Sequence, residues 1–230
     1  MATLYVDIFH TNDMHGRVEA MARLRSYVTR QSAELKGRGH TVLFWDAGDA
    51  LDRRYPACSL TKGAAMAPVL NAMGYGLMTM GNDILLTFGP QAMADLVARL
   101  TFPVLAANAR DGDSPPVAGL QEISIVPLPG GLRLGVLGLT APWSGLYEAF
   151  GLHFPDPYQL ARGCVGRLQA DGAATIVALS HLGLADDLRL AEEVPGLHVI
   201  IGAHSHDVLS MGLVHHGVLI SQAGSFAERV

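Results

Sequence analysis

The chain has 230 residues, half of them hydrophobic and 16% charged, with a formal net charge of -5. That apolar content supports a substantial core in one large domain and excludes global disorder. A pI near 6.0 speaks against a nucleic-acid-binding face, two cysteines are too few for a disulfide scaffold, and no apolar run reaches the roughly 18 residues of a membrane span.

The N-terminus, MATLYVDIFH, lacks the basic start and cleavage site of a signal peptide, so a cytoplasmic protein is expected. An apolar run at 4–9 reads as a first strand. Residues 18–36 read as a helix, with the basic residues between Arg17 and Arg38 on its solvated face. A second strand is expected at 42–45, a helix over 61–74, and a buried strand in the stretch Gly76 to Met80. Met93, Leu96, Val97 and Leu100 then repeat at i, i+3, i+4 and i+7, with Pro90 near the helix start. A strand at 103–107 leads to the best loop candidate, 110–118. Further strands are expected at 132–139, 175–179 and 197–201, and several of these runs are continuous enough to be buried on both faces. Ala161, Cys164, Val165 and Leu168 form a helical stripe after Pro157, which makes Cys164 a core thiol. Residues 207–221 read as short strands joined by turns. Strands alternating with helices predict an α/β domain with a largely parallel sheet, and nothing divides 1–230 into two.

The ends of the apolar runs share a grammar. LYVDIF is followed by HTNDMHG, VLFW by DAGD, the run ending at Met80 by GND, TIVAL by SHLG and LHVII by GAHSHD. Ligands of open α/β sheets bind outside the carboxyl ends of the strands. This order brings Asp13, His15, Asp49, Asn82, His181, His204 and His206 to one edge. Taken singly, each element is accounted for by a turn, a cap or a structural histidine. Jointly they suit a pair of ions such as Mn, Zn, Fe or Co, because mixed imidazole and carboxylate donors are wrong for calcium and too many for one tetrahedral ion.

On these residues the chain resembles the calcineurin-like metallophosphoesterases. Within them it is similar to the catalytic domain of the branch that includes 5'-nucleotidases, UDP-sugar hydrolases and 2',3'-cyclic phosphodiesterases. The resemblance implies a four-layer α/β/β/α sandwich with metal at the strand C-terminal ends. It implies that Asp13, His15 and His206 hold one divalent ion, that Asn82, His181 and His204 hold another, and that Asp49 bridges them. The implied activity is phosphoester hydrolysis on nucleotides or related small phosphoesters, by attack of a bridging hydroxide on phosphorus. The implied cofactors are two divalent metal ions. No nucleic-acid polymer or membrane partner is expected, and a homodimer would cover a last strand left unpaired after 207.

Three departures from the family pattern stand out. Family members read Gly-Asn-His, with the histidine facing the phosphate or leaving group. Here Asp83 follows Asn82 directly, and the loop to Gly89 is about one residue longer. Asp83 is therefore the candidate in place of that catalytic histidine; the alternative is a catalytically impaired metal-binding relative with a binding or regulatory role. Ala203 stands where the family usually has a second glycine. The chain also stops at Val230, where the family runs on into a domain that supplies nucleoside contacts, so either a stand-alone domain or a piece of something longer is expected. Arg53 and Arg54, shortly after Asp49, and Asn108 are candidate substrate contacts, with a weaker claim for Arg110. His10 is expected to pack or hydrogen-bond beneath the site, and His40, His153, His198, His215 and His216 to be structural or exposed.

Overall fold

The computed structural model describes residues 3–111, 116–117 and 119–230. Of the loop expected over 110–118, residues 112–115 and 118 lie outside those described residues.

The first run forms β1 (Val6–Thr11) and leads into α1 (Val18–Gly37). Met21, Leu24 and Val28 are buried on one face of α1, while Arg23, Arg30 and Lys36 are exposed. After β2 (Thr41–Asp46), the single helix expected over 61–74 is instead α2 (Pro56–Thr61) and α3 (Ala67–Met73), separated by a short 3-10 turn at Ala64–Met66. The break falls where Lys62 and Gly63 take φ of 50° and 88°, outside the right-handed helical region. After β3 (Leu77–Thr79) comes α4 (Asp83–Val97), which starts directly after Asn82 and is interrupted at Gly89, with φ 80° and ψ 176°. Pro90 opens its second half, and Leu100 lies beyond the helix end but still packs on the core.

The strands β4 (Val104–Leu105), β5 (Arg110–Asp111), β6 (Leu120–Gln121) and β7 (Ile123–Pro127) are short, and β8 (Arg133–Thr140) is long. The turn of helix α5 (Ser144–Tyr147) and β9 (Leu152–His153) precede α6 (Pro157–Ala170). Asp156 caps α6 by accepting the Gln159 N–H at 2.7 Å, and Pro157 occupies its first turn. The chain continues through β10 (Thr175–His181), α7 (Leu184–Glu193) and β11 (Val199–Gly202) to the hairpin of β12 (Leu213–His215) and β13 (Val218–Ser221).

The strands build two main sheets rather than one. The first has the order β1-β2-β3-β4-β6 and is parallel throughout; the second has the order β12-β13-β11-β10-β8-β7 and is antiparallel only at its two outer pairs. A minor antiparallel ribbon joins β5 to β9.

Strand alternation explains the layers, because neighbouring side chains point to opposite faces. Val177 and Leu179 of β10 pack with Trp45, Leu77 and Leu105 of the first sheet, forming an apolar layer between the sheets. Ile176 and Ala178, on the other face of β10, pack with Cys164, Val165 and Leu168 of α6 and Leu190 of α7. On the far side of the first sheet, Phe44, Met78 and Val104 meet Met21 and Val28 of α1 and Met93 of α4. The molecule is therefore an α/β/β/α sandwich with three buried layers, each fully buried leucine contributing roughly 1.5–3 kcal/mol. Among the described residues no helix is long and apolar enough to cross a membrane.

Candidate metal centre

The C-terminal ends of β1, β2, β3, β10 and β11 converge, and the residues that follow them carry unusual backbone geometry. Asp13, His15, Asp49, His204 and His206 have φ of 50°, 47°, 53°, 73° and 60°. Positive φ is uncommon outside glycine, and when it clusters it marks a functional site. It turns each side chain back over the strand ends instead of letting the chain leave at once.

Tight glycine turns bring these loops together. A Cβ on Gly48, whose φ is 104°, would lie 2.6 Å from His181 Nδ1, and a Cβ on Gly81 would collide with the Asp49 carboxylate. Only glycine lets the loops after β2 and β3 approach so closely.

Inside this edge the side chains form one connected cluster. His15 Nε2 lies 3.2 Å from His206 Nε2. Asp13 Oδ1 lies 3.8 Å from His15 Nε2, 3.4 Å from His206 Nε2 and 3.9 Å from His181 Nε2. His181 Nε2 is 3.3 Å from Asp49 Oδ2. Potential ligand atoms of Asp13, His15 and His206 lie within 4.8 Å of one another, as do those of Asp13, Asp49 and His181 and those of His15, Asp49 and Asp83. Asp13, His15 and Asp49 thus each belong to two of the three groupings. The ring of His204 tilts against that of His181, with centroids 5.2 Å apart, and Asn82 precedes Asp83, whose N–H donates to Asp49 Oδ1 at 2.9 Å.

Neighbouring groups fix which atoms face inward. The Nδ1–H of His181 donates to the Ala47 carbonyl at 2.8 Å, which leaves Nε2 to face the cluster. The Nδ1–H of His15 donates to Asp83 Oδ2 at 3.0 Å, with the same consequence for its Nε2. Asp13 Oδ2 accepts from Asn12 Nδ2 and from the His204 N–H, each at 2.8 Å, so Oδ1 remains. His181 Nε2, Asp13 Oδ1 and Asn82 Oδ1 are buried without a hydrogen-bond partner. Three orphaned donor atoms of the right types, aimed from different strands, fit a bound cation.

The electrostatics agree with this geometry. Burial opposes charge on His181, but the carboxylates of Asp49 and Asp13 raise it to about 9. Burial likewise opposes charge on His15, and Asp83, Asp49 and Asp13 overcome it and push its pKa up. Asp49 is held below the usual carboxylate range despite its burial, by His181 and the Asp83 N–H. The upward shifts of His15 and His181 mean that the surrounding carboxylates favour positive charge here, as they would a cation.

The remaining candidates lie elsewhere or are engaged. Asn108 is fully buried, its Nδ2 donating to the Thr140 carbonyl at 2.7 Å and its Oδ1 accepting the Thr140 N–H at 2.9 Å. It ties the loop after β4 to Thr140 at the end of β8, which is the register partner of His181. Arg54 turns its Nε and Nη2 onto Asp52, at 2.8 and 2.5 Å, and Arg53 is exposed. Arg110 pairs with Glu122. Asp83 Oδ2 meets His15 Nδ1, and its side chain stays 32% exposed. His10 does hydrogen-bond beneath the site, 2.9 Å from Ser221 Oγ, and burial lowers its pKa to about 4.

Sequence reasoning missed the supports. Asp46 accepts from Thr11 Oγ1 at 2.6 Å and from the Gly48 N–H at 3.0 Å, holding β1 to the β2 turn. Asn12 reaches across the fold to the Gly224 carbonyl at 2.6 Å and the Ala223 N–H at 2.9 Å. Phe226, with φ 61°, places its ring 5.6 Å from that of His15 and 5.8 Å from that of His206, and the Arg17 guanidinium stacks over its other side at 5.0 Å. Tyr147 is fully buried with an unpartnered hydroxyl, its pKa raised by burial and by the nearby charges of Asp49 and Asp83. Asn12 sits inside the first motif, so a signal existed; for Tyr147 none did.

Comparison with known proteins agrees with the architecture. The profile of the calcineurin-like phosphoesterases matches residues 6–208. The metallophosphoesterase YunD of Bacillus subtilis is 30% identical over 224 residues, covering 97% of this chain and 48% of YunD. A 5'-nucleotidase of Diplobatis ommata is 31% identical over 229 residues, covering 92% of this chain and 39% of that protein. The solved 5'-nucleotidase precursor of Thermus thermophilus superposes with a TM-score of 0.73 at 28% identity, covering 96% of this chain and 49% of its own. The chain thus spans about half the length, or less, of the curated relatives named here.

Proposed function

This chain belongs to the calcineurin-like phosphoesterases, and from that membership we propose that it is a metal-dependent hydrolase of nucleotides or related small phosphoesters, with two divalent ions at the strand ends. The observation that carries the proposal is the set of buried, unpartnered atoms His181 Nε2, Asp13 Oδ1 and Asn82 Oδ1. Leaving such atoms unsatisfied costs about 1–3 kcal/mol each, and a bound cation removes that cost. Asp13, His15 and His206 would hold one ion, Asn82, His181 and His204 the other, and Asp49 both. The imidazole-rich set favours Mn, Zn or Fe over Ca or Mg. Ions held there stabilise charge developing on the phosphoryl oxygens and lower the pKa of a bound water towards neutrality.

The chain's own groups set orientation. Ala47 fixes the His181 ring through its carbonyl, and Asp83 fixes both the His15 ring and, through its N–H, the Asp49 carboxylate. Asp83 is therefore a positioning residue. No imidazole follows Asn82 to give a proton to the leaving group, so esters with good leaving groups are favoured. Nucleotides are proposed because two of the relatives above are 5'-nucleotidases by name.

A second reading, a metal-binding relative with impaired catalysis, is favoured by the commitment of Asp83 to His15. Phosphate release by Mn- or Zn-reconstituted protein distinguishes the two. The test substrates are 5'-AMP, a 2',3'-cyclic nucleotide and an activated aryl phosphate. Turnover that disappears in Asp49→Asn is the expected result. A metal-loaded protein inert on every ester would overturn the hydrolase reading and leave the second.

A further inference from the structure

A second group of histidines lies at the other end of the second sheet. β13 runs parallel to β11, so the turn preceding Val218 sits at the strands' N-terminal edge, opposite the edge that carries the strand-end centre. His215 ends β12, and His216 and Gly217 form the two-residue hairpin turn with φ of 47° and 80°. Glu192 belongs to the last turn of α7, which packs against this hairpin.

The three side chains converge. His215 Nε2 lies 2.8 Å from Glu192 Oε1, and His216 Nε2 lies 3.9 Å from the same oxygen. The two rings have centroids 4.6 Å apart at an angle of 64°, and the three potential ligand atoms lie within 4.8 Å of one another. From these contacts we infer that Glu192, His215 and His216 form a surface site for a divalent transition-metal cation of the Zn2+ class, which clasps the hairpin to α7.

An ion pair does not account for the second imidazole. A single protonated histidine satisfies Glu192; two protonated rings at this spacing repel each other. Two neutral rings could each donate an Nε2–H to the carboxylate, but at 3.9 Å His216 is too far for that bond, so its imidazole stands beside Glu192 Oε1 without one. A cation accepts both lone pairs and the carboxylate together. Ligand atoms around one tetrahedral zinc lie about 3.3 Å apart, given bonds of about 2.0–2.1 Å, and the two distances to Glu192 Oε1 bracket that value. Two imidazoles and one carboxylate select Zn2+, Co2+, Ni2+ or Cu2+ over Ca2+ and Mg2+. All three residues are solvent-accessible, with side-chain exposures of 48%, 31% and 58% for Glu192, His215 and His216, so water completes the coordination. The ion would hold β12, the outermost strand of its sheet, against a helix it otherwise touches lightly.

The test compares Zn2+ stoichiometry, by native mass spectrometry and calorimetric titration, between the wild type and His215→Ala/His216→Ala. The expected result is one equivalent fewer in the double variant, with its phosphate release unchanged. Glu192→Gln, which retains a hydrogen-bond acceptor for His215, is expected to weaken that same equivalent at least about tenfold. Equal stoichiometry in wild type and double variant overturns the site, as does a Glu192→Gln titration identical to wild type. Failure of the hydrolase proposal is separable, because Asp49→Asn changes the equivalents bound at the strand ends and leaves this one in place.

Discussion

The molecule carries two histidine clusters with the same donor chemistry and opposite surroundings. At the strand ends, His181, Asp13 and Asp49 are buried, the backbone around them is held at positive φ in five ligand candidates, and three donor atoms are orphaned. At the hairpin, Glu192, His215 and His216 are open to water and already contact one another. The difference shows what distinguishes a site built into the fold from one laid on it. The first is supported by hydrogen bonds to Ala47 and Asp83 and from Asn12, and three of its buried donor atoms have no hydrogen-bond partner, a lack that a cation would meet. The second lies open to water, which can satisfy its donor atoms, and it gains a cross-link when a cation binds.

The largest expected effect lies at the buried cluster. Asp49→Asn removes a carboxylate shared by two groupings, and phosphate release is expected to vanish while metal content falls. Retained turnover would mean that the buried site is no more essential than the surface one. Next comes Asp83→Asn, which weakens the orientation of His15. A change in a group that orients a ligand typically costs about 10–100-fold in metal affinity, read by titration with Mn2+. An unchanged affinity would show that His15 needs no support.

The pH response sharpens the contrast further. The pKa of His181 is raised above 6.5 to about 9, so in metal-free protein its contribution to stability is complete below pH 6.5 and is lost as pH rises through 9. Burial raises Asp46 to about 7 and Asp187 to about 8, which also lowers stability as pH rises, but the largest cause in both is desolvation and not a ligand charge. The gap between the melting temperatures of metal-loaded and metal-stripped protein is therefore expected to widen from pH 6.5 to 9. His181→Gln should flatten that widening. The smallest effect belongs to the surface: without metal, His215→Ala/His216→Ala should shift the unfolding free energy by no more than about 0.5 kcal/mol in denaturant titration.

What was legible in the sequence follows from the same physics. β8 and β10 read clearly because burial on both faces makes their runs continuously apolar. The ligand candidates read clearly because each follows such a strand. α7 was not legible: Asp187 is one of its buried residues, accepting from Ser180 Oγ at 2.5 Å, and its other carboxylates dilute the apolar stripe. β7 is short and antiparallel on the outside of its sheet, so its pattern is weak. The division into two sheets followed from the family resemblance and not from periodicity, since a run buried between two sheets looks like one buried between sheet and helix. The supports of the centre were hidden by separation along the chain, as where Asn12 meets Gly224. The role of Asp83 depended on where its carboxylate points, which spacing does not encode.

The most direct test of the central claim is an anomalous-scattering map from crystals of Mn-reconstituted protein, collected at the manganese absorption edge. Two peaks about 3.5–4 Å apart are predicted at the strand ends, one against Asp13, His15 and His206, the other against Asn82, His181 and His204, with Asp49 between them. A single peak there, or none, would contradict the account.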